Sequence, residues 1–181
     1  MARLVEHPSP LGVLLLVACD GVLTEIVFEE FHDEAHQRIA QQSPDLRRAS
    51  EWRGSQSDDR VSSEVLDKAR RELDEYFAGQ RRAFDLALST DGGAGFRAQV
   101  QRSLNRIRYG ETATYGMLAA MLEHPRAARA VGTACATNPL PIVQPCHRVV
   151  SADGTLGGYS GGLWRKELLL RLEAGVAQPA A

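Results

Sequence analysis

The residues best suited to chemistry in this sequence are Cys146 and the two that follow it, His147 and Arg148. A lone cysteine in an apolar stretch is usually an inert core thiol. Here a base and a positive charge stand beside it, and a thiol needs such surroundings to form the thiolate, which is the nucleophile. The combination therefore predicts a nucleophilic cysteine.

The adjacency of Cys146 and His147 raises a geometric question, because neighbouring side chains of a strand point to opposite faces. Either the backbone turns at Cys146, or a water molecule couples the imidazole to the sulfur. A histidine base also needs an acid to orient it. Glu173 is the best candidate among the downstream acids, since it lies on an apolar helix expected at Leu163–Leu172, near enough to the core to be buried. A negative side chain at a helix C-terminus opposes the helix dipole, which itself suggests a functional reason for Glu173.

A helical region precedes this cysteine. Thr114 is a candidate N-cap for a short helix through Leu122, and His124-Pro125 breaks the chain before a second helix at Arg126–Ala136. Helix, short turn and helix form the outline of a helix-turn-helix. An amphipathic helix comes before this pair and ends at Gly110; its apolar positions are Phe96, Val100, Leu104 and Ile107.

The second helix of this pair consists mostly of alanine, glycine and threonine, with Arg126 and Arg129 as its long polar side chains. The minor groove of DNA is only about 6 Å wide, so a helix that approaches it must be slim and must supply positive charge. Tight packing of helix on helix through small residues is the alternative. Composition alone leaves these two interpretations even.

The first half of the chain has a different pattern. Leu11–Cys19 and Val22–Phe28 predict two strands joined by a tight turn at Asp20-Gly21. Glu29–Ser63 is polar and predicts a loop with short helical pieces. A helix at Glu64–Ala78 follows, and then a third strand carrying Phe84, Leu86 and Leu88. The glycine-rich segment Asp91–Gly95 predicts a linker between two lobes.

These elements indicate an α+β protein of two parts. We expect a small N-terminal α/β lobe with an antiparallel sheet at residues 1–92, and a mostly α-helical C-terminal lobe with a helix-turn-helix at residues 93–181. The length of 181 residues, with 44% hydrophobic and 24% charged residues, agrees with an ordinary globular protein.

The net charge of −2 hides an uneven distribution. Residues 1–94 carry 18 acids and 11 bases, whereas residues 95–181 carry 5 acids and 10 bases. Seven arginines of the second lobe lie between Arg97 and Arg148, and we expect them to contact phosphates.

Three cysteines, Cys19, Cys135 and Cys146, are too few for a disulfide framework and favour a reducing compartment. The apolar run before Cys19 lacks the basic flank of a secretion signal, and no stretch is long enough for a membrane span. The first lobe has no cysteine pair at zinc spacing. We expect a cytoplasmic monomer with no metal, no cofactor, no membrane contact and no obligate protein partner.

Five ordered motifs resemble the O6-alkylguanine-DNA alkyltransferases, or methylated-DNA-protein-cysteine methyltransferases. They are Tyr115 with Leu118-Ala119, then Ala127–Gly132, Asn138-Pro139, Pro145–Val149 and Gly158–Gly162. The resemblance covers Phe96 to about Glu173 strongly and the first lobe more loosely, and it implies a ribonuclease-H-like fold for that lobe. Two departures stand out: Gln101 replaces an aromatic residue of many members, and Arg108 replaces a proline.

The resemblance implies direct, single-turnover repair of double-stranded DNA. An alkyl group on O6 of guanine, or on O4 of thymine, is transferred irreversibly to Cys146 after the base flips out of the duplex. Cys146, His147 and Glu173 would form a water-linked relay oriented by Asn138, and Tyr115 would rotate the target phosphate and donate a proton to the departing guanine. Arg129 would fill the base stack, with Ala128 and Gly132 on the slim helix in the minor groove. Tyr159, Ser160 and the backbone at Cys146 and Val149 would line the guanine pocket.

Two other functions fit parts of the pattern. A lesion-sensing helix-turn-helix protein would keep the DNA surface without the nucleophile. A thiol hydrolase on an unrelated fold would use cysteine and histidine, but would not need Arg129 on an alanine-rich helix.

Overall fold

The computed structural model describes residues 2–35, 60–89 and 95–175. The chain divides into two compact units, each with its own internal contacts. The first comprises Met1–Phe77 and Phe84–Ser89, and the second comprises Ala78–Ala83 and Thr90–Ala181.

The first unit contains a three-stranded antiparallel sheet in the order β1 (Ala2–Ser9), β2 (Gly12–Cys19) and β3 (Val22–Phe28). β2 is the central strand, and its residues Leu14 to Ala18 are all buried. The predicted turn between β2 and β3 is present, with φ of 50° at Asp20 and 80° at Gly21. Such left-handed angles suit Asp-Gly and match the twist of the two strands.

Helix α1 (Arg60–Phe77) packs against all three strands. Its buried face includes Leu66, Ala69, Leu73 and Tyr76, which recur every three or four residues as expected for an amphipathic helix. The predicted helix at Glu64–Ala78 is therefore confirmed, although it starts four residues earlier and ends one residue sooner.

The segment that follows differs from the expected third strand. Within the part of the chain that the structure describes, residues 84–89 make one isolated parallel bridge, between Leu88 and Leu23 of β3. The segment is held partly by a side chain, because the buried carboxylate of Glu72 accepts the backbone N–H of Asp85 at 2.8 Å. The alternation of Phe84, Leu86 and Leu88 thus reflects half-buried packing and not a strand, so this prediction was wrong.

The second unit is mostly helical. Helix α2 (Phe96–Ser103) ends in a 3₁₀ turn (Leu104–Arg106), and α3 (Tyr115–Met121) and α4 (Ala128–Ala136) form the predicted helix-turn-helix. Thr114 caps α3, since its Oγ1 accepts the N–H of Met117 at 3.1 Å. Helix α4 begins two residues later than the expected Arg126, because His124–Ala127 forms the turn before it. Helix α5 (Leu163–Glu173) closes the unit.

A short parallel pair of strands determines where the helix-turn-helix meets the cysteine. β4 (Ala113–Thr114) pairs with β5 (Val149–Val150), so Ala113 lies opposite Val149. α3 starts directly after β4, and Cys146 lies three residues before β5. The pairing therefore places the start of α3 beside the cysteine, and both pack into one core cluster with Val100, Leu104, Leu118 and Val131.

The expected fold class, an α+β chain with an antiparallel N-terminal sheet and a helical C-terminal part, is confirmed. Strand β1 was not predicted. Most of Glu29–Ser63 and nearly all of Asp91–Gly95 lie outside the described residues. Within the described ranges, no helix is both long and apolar enough to cross a membrane, and no three acidic, histidine or cysteine side chains group as a metal site.

Replacing Glu72 by alanine should destabilise the first unit, because it leaves the partly buried N–H of Asp85 without its acceptor. The loss of such a bond costs about 1–3 kcal/mol. Glu72→Gln keeps an acceptor oxygen and should cost less, and Asp67→Ala on the exposed face of α1 serves as the control. Urea unfolding measures all three. Equal midpoints for Glu72→Ala and Asp67→Ala would show that this bond does not hold the segment.

Candidate active site

Cys146 lies in a buried turn of the backbone. Cys146–Arg148 forms a three-residue 3₁₀ helix, and the Cys146 side chain is almost inaccessible, with 3% of the residue exposed. Of the two arrangements that the sequence left open, the structure shows the backbone turn. In this turn the side chains of Cys146 and His147 point in different directions. The Cys146 sulfur and the His147 imidazole therefore have different neighbours.

Asn138 contacts the sulfur directly. Its Nδ2 donates to Cys146 Sγ at 3.1 Å and to the carbonyl of Gln144 at 2.8 Å. Its Oδ1 accepts the N–H of Leu140 at 3.1 Å. Both ends of the amide are thus fixed, so the N–H that faces the sulfur cannot rotate away without breaking another bond.

His147 is fully buried and is bonded to Glu173, with 2.9 Å between Nε2 and Oε1. The carboxylate also accepts N–H groups from Arg148 and from the backbone of Gly110, which can only donate. Nε2 therefore carries the proton in this pair, and Nδ1 carries the lone pair. Burial lowers the pKa of His147, mainly through loss of solvation, and this keeps the ring neutral.

Arg148 does not occupy the position expected for a phosphate contact. It is buried. Its Nε and Nη2 donate to the Glu173 carboxylate at 2.9 and 2.8 Å, and its Nη1 donates to the carbonyl of Ile107 at 2.6 Å. The expectation that all seven arginines between Arg97 and Arg148 meet phosphates was wrong for this one. Because Arg148 follows the nucleophile closely, its charge was expected at the DNA surface. The buried carboxylate of Glu173 instead needs a buried cation, and Arg148 supplies it.

Lys166 is a site residue that the sequence analysis did not identify. It is fully buried on α5, and its Nζ donates to the carbonyls of Val149 at 2.6 Å and Gly158 at 3.4 Å. It thereby joins the strand after the cysteine to the glycine-rich loop. A signal was present, since Lys166 precedes Glu173 by seven residues and so shares its helix face.

The thiol is protonated at rest. Burial raises the pKa of Cys146 to about 11, although the Asn138 hydrogen bond, the charge of Lys166 and the backbone N–H groups of Cys146 and His147 oppose the shift. Cys135 on α4 is also buried, and desolvation raises its pKa to about 12. The surroundings of Cys146 therefore favour the thiolate more than those of Cys135, yet not enough for spontaneous ionisation at neutral pH.

Tyr115, the first residue of α3, packs against the core cluster that contains Cys146. Its hydroxyl has a hydrogen bond with the backbone at Gly158, and burial raises its pKa. Gly157 lies directly against it, since a Cβ on Gly157 would be only 2.9 Å from the Tyr115 oxygen. The loop and the tyrosine thus fit closely together only because residue 157 is glycine.

The remaining predicted residues lie in two places. Tyr159 packs on the same core cluster, and Ser160 beside it is exposed. On α4, Arg129 is exposed and Ala128 is partly buried, while Gly132 lies next to the Tyr115 ring. The structure therefore gathers Cys146, Asn138, Tyr115, Val149 and Tyr159 in one core, links His147 and Glu173 beside it, and leaves Arg129 on the surface.

Comparisons with known proteins agree with this geometry. Residues 7–90 match the 6-O-methylguanine DNA methyltransferase, ribonuclease-like domain, and residues 95–175 match the 6-O-methylguanine DNA methyltransferase, DNA binding domain. The methylated-DNA–protein-cysteine methyltransferase of Salmonella typhimurium is 40% identical over 96% of this chain and 97% of its own. The protein of the same name from Mycolicibacterium paratuberculosis is 40% identical over 91% of this chain and 88% of its own.

Solved structures give the same result. The Mycobacterium tuberculosis OGT in complex with DNA has a TM-score of 0.72 and 34% identity, covering 97% of this chain and 94% of its own. The Mycobacterium tuberculosis O6-methylguanine methyltransferase has a TM-score of 0.73 and 35% identity, covering 99% and 97%. With both domains matched in order and nearly the whole chain aligned, this protein belongs to the 6-O-methylguanine DNA methyltransferase family.

Proposed function

We propose that this chain repairs DNA directly, by moving the alkyl group from O6 of guanine to Cys146 in a single irreversible turnover. O4-alkylthymine is a second substrate of the same chemistry. The observation that carries the proposal is the buried Cys146 thiol with an Asn138 donor at 3.1 Å, next to a His147–Glu173 pair. A lesion sensor would not need this nucleophile and base.

The proton of the thiol leaves through His147. Nδ1 of His147 is buried and makes no protein hydrogen bond among the described residues. A water molecule between Nδ1 and Sγ would satisfy this atom and carry the proton from sulfur to the imidazole. Glu173 then stabilises the imidazolium that forms, as an orienting acid does for a catalytic histidine.

Transfer follows as a displacement at the alkyl carbon. The sulfur forms a bond to that carbon while the bond from carbon to O6 breaks, and its electron pair passes to the guanine. Tyr115 supplies the proton that neutralises the departing base. The product is a thioether, which is a poor leaving group, so the protein is consumed.

The nascent thiolate is stabilised by groups that are already in place. Asn138 donates to the sulfur, and the Lys166 charge and the backbone N–H groups of the turn act in the same direction. Donors that are fixed before the reaction need no reorganisation as negative charge develops. With a resting pKa of about 11 the thiolate forms only as the reaction proceeds, and these donors lower the free energy needed to form it.

DNA is bound by the helix-turn-helix from the minor groove. α4 exposes Arg129 and small side chains, which allow close approach of a backbone. Arg129 fills the stack after the target base has flipped, and Tyr115 turns the target phosphate. Flipping costs a few kcal/mol, and less for a weakened lesion pair. Tyr159, Ser160, Val149 and the backbone at Cys146 line the pocket for the flipped guanine.

The direct test is an incubation with an oligonucleotide that contains O6-methylguanine, followed by measurement of the intact protein mass. One methyl group should appear on Cys146, and Cys146→Ser should remain unmodified while Cys135→Ser is modified normally. Binding without a change in mass would instead indicate a lesion sensor. Turnover of a small ester without DNA would indicate a thiol hydrolase.

The pH dependence of transfer distinguishes the relay from spontaneous ionisation of the thiol. His147 is neutral at pH 7, and its pKa is lowered, so the wild-type rate should fall only as the pH drops below about 6.5. His147→Gln removes the base. With a thiol pKa of about 11, its residual rate should then rise about tenfold per pH unit above neutrality. A variant whose rate is as flat with pH as that of wild type would exclude the relay.

Gly157→Ala tests the fit between the loop and Tyr115. The new Cβ meets the Tyr115 oxygen at 2.9 Å, and φ at this position is 66°. Gly154→Ala is the matched control, because its φ is 81° but nothing lies within 4 Å of a Cβ there. We expect Gly157→Ala, but not Gly154→Ala, to lower the transfer rate about tenfold. Displacement of Tyr115, the proposed proton donor, would raise the activation barrier by about 1.4 kcal/mol. Equal rates for the two variants would show that Tyr115 does not need this contact.

A further inference from the structure

Gln101 is a buried polar residue on α2 for which the proposed mechanism has no role. Only 4% of it is exposed, although glutamine is usually a surface residue. Its Nε2 donates to the carbonyl of Ala134 and to the carbonyl of Thr137, both at 3.1 Å. Both N–H groups of the side-chain amide are thus used by the end of helix α4.

The carbonyls of Ala134 and Thr137 lie on either side of Ala136, the last residue of α4. The last carbonyls of a helix have no partner within the helix and need one from outside. The neighbouring carbonyl of Thr133 accepts the N–H of Thr137 at 3.1 Å, and that of Cys135 accepts the N–H of Asn138 at 3.3 Å. Gln101 supplies the partners for Ala134 and Thr137, so it defines how the chain leaves the helix.

Asn138 is the second residue after the end of α4. The Thr137 carbonyl held by Gln101 belongs to the same peptide group as the Asn138 nitrogen. Asn138 then donates to Cys146 Sγ at 3.1 Å. A single peptide unit therefore separates the Gln101 amide from the residue that contacts the nucleophile.

We propose that Gln101 is a positioning residue for the alkyl transfer: by holding the carbonyls of Ala134 and Thr137, it keeps the Asn138 amide on the sulfur of Cys146. This inference rests on the proposed function. An aromatic side chain, as in many family members, could fill the same space but offers at most one N–H. The two donors of glutamine are what this chain uses instead.

The proposal has a consequence for the ionisation of the thiol. The groups that act on Cys146 besides Asn138 are Lys166 from α5, Cys135 from α4, Tyr115 from α3 and Tyr159 from the loop, with His147 next in the chain. None of them is bonded to Gln101 in the structure. Loosening Asn138 removes one donor that favours the thiolate and leaves the others in place, so the thiol should ionise at higher pH, which is seen where the His147 base has been removed.

The test replaces Gln101 by methionine, which has a similar length and no donor. The single-turnover rate is measured from pH 6 to 10 with saturating O6-methylguanine oligonucleotide, together with the thermal unfolding midpoint. We expect transfer to slow about tenfold at neutral pH, as for loss of one hydrogen bond in the reaction. In a His147→Gln background, where ionisation of the thiol sets the rate, Gln101→Met should move the rising part of the pH profile to higher pH. Gln99→Met, on the exposed face of the same helix, should leave both unchanged.

A double-mutant cycle decides whether the effect passes through Asn138. In an Asn138→Ala background, Gln101→Met should cause no further loss of rate. If Gln101→Met loses the fold, Gln101→Leu, which also has no N–H donor and buries no charge, is used for the same measurements.

The outcomes separate this inference from the proposed function. A wild-type protein that accepts no alkyl group overturns both. Normal transfer by wild type with an unchanged rate and pH profile in Gln101→Met overturns the positioning role alone. So does a loss of rate that is equally large with and without Asn138, because Gln101 would then act by another route.

Discussion

The buried carboxylate of Glu173 is the constraint on which the C-terminal unit depends. A charge in the interior is tolerated only when its solvation is replaced by well-aligned donors. Glu173 also ends α5, where the helix dipole opposes a negative side chain. Both costs are offset by Arg148, His147 and the backbone N–H of Gly110, which converge on the two oxygens. The end of α5, the cysteine turn and the segment before β4 must therefore meet at one point.

This convergence also determines the state of the nucleophile. Arg148 compensates the charge of Glu173, so the pair does not require a protonated histidine, and burial keeps His147 neutral. A neutral histidine can accept a proton, but a thiol whose pKa is about 11 keeps its proton at rest and gives it up only in the reaction. Under the proposed function this is an advantage, because a protein that reacts once is protected from other electrophiles while its cysteine stays protonated.

The sequence predicted those features that depend on local rules. The Thr114 cap, the Asp20-Gly21 turn and the amphipathic face of α1 each follow from propensity and periodicity, and the adjacency of Cys146 and His147 indicated a thiol site. Strand β1 was missed because it is an edge strand with Pro8 and charged residues, for which no alternation of buried positions is required. An edge strand is defined by its pairing with a neighbour, which here runs from Ser9 opposite Gly12 to Ala2 opposite Cys19.

The long-range partners of buried polar groups could not be predicted at all. Arg148 appeared to be a DNA contact because sequence shows its charge and not the carboxylate 25 residues away that neutralises it. Lys166 was not predicted, and Gln101 was noted only as a departure from the family pattern, for the same reason: each is polar and would normally be assigned to the surface. Burial of such groups depends on acceptors that only the folded chain brings together.

Helix α4 shows why composition left its role undecided. Val131, Ala134 and Cys135 form its buried face, while Arg129, Ala130, Thr133 and Ala136 are exposed. The small residues therefore allow close packing against the core on one side and leave a slim surface on the other. Helix-on-helix packing and approach to a DNA groove, the two interpretations of the composition, are thus compatible. The same helix ends at Ala136, two residues before Asn138, the donor to the sulfur. Gln101 of α2 holds the carbonyls of Ala134 and Thr137, so the chain that continues to Asn138 is fixed to a second helix as well as to α4. Under the proposed function, the helix that meets DNA and the donor that supports the nucleophile are therefore neighbours in the chain, joined by a helix end that a third element, α2, holds in place.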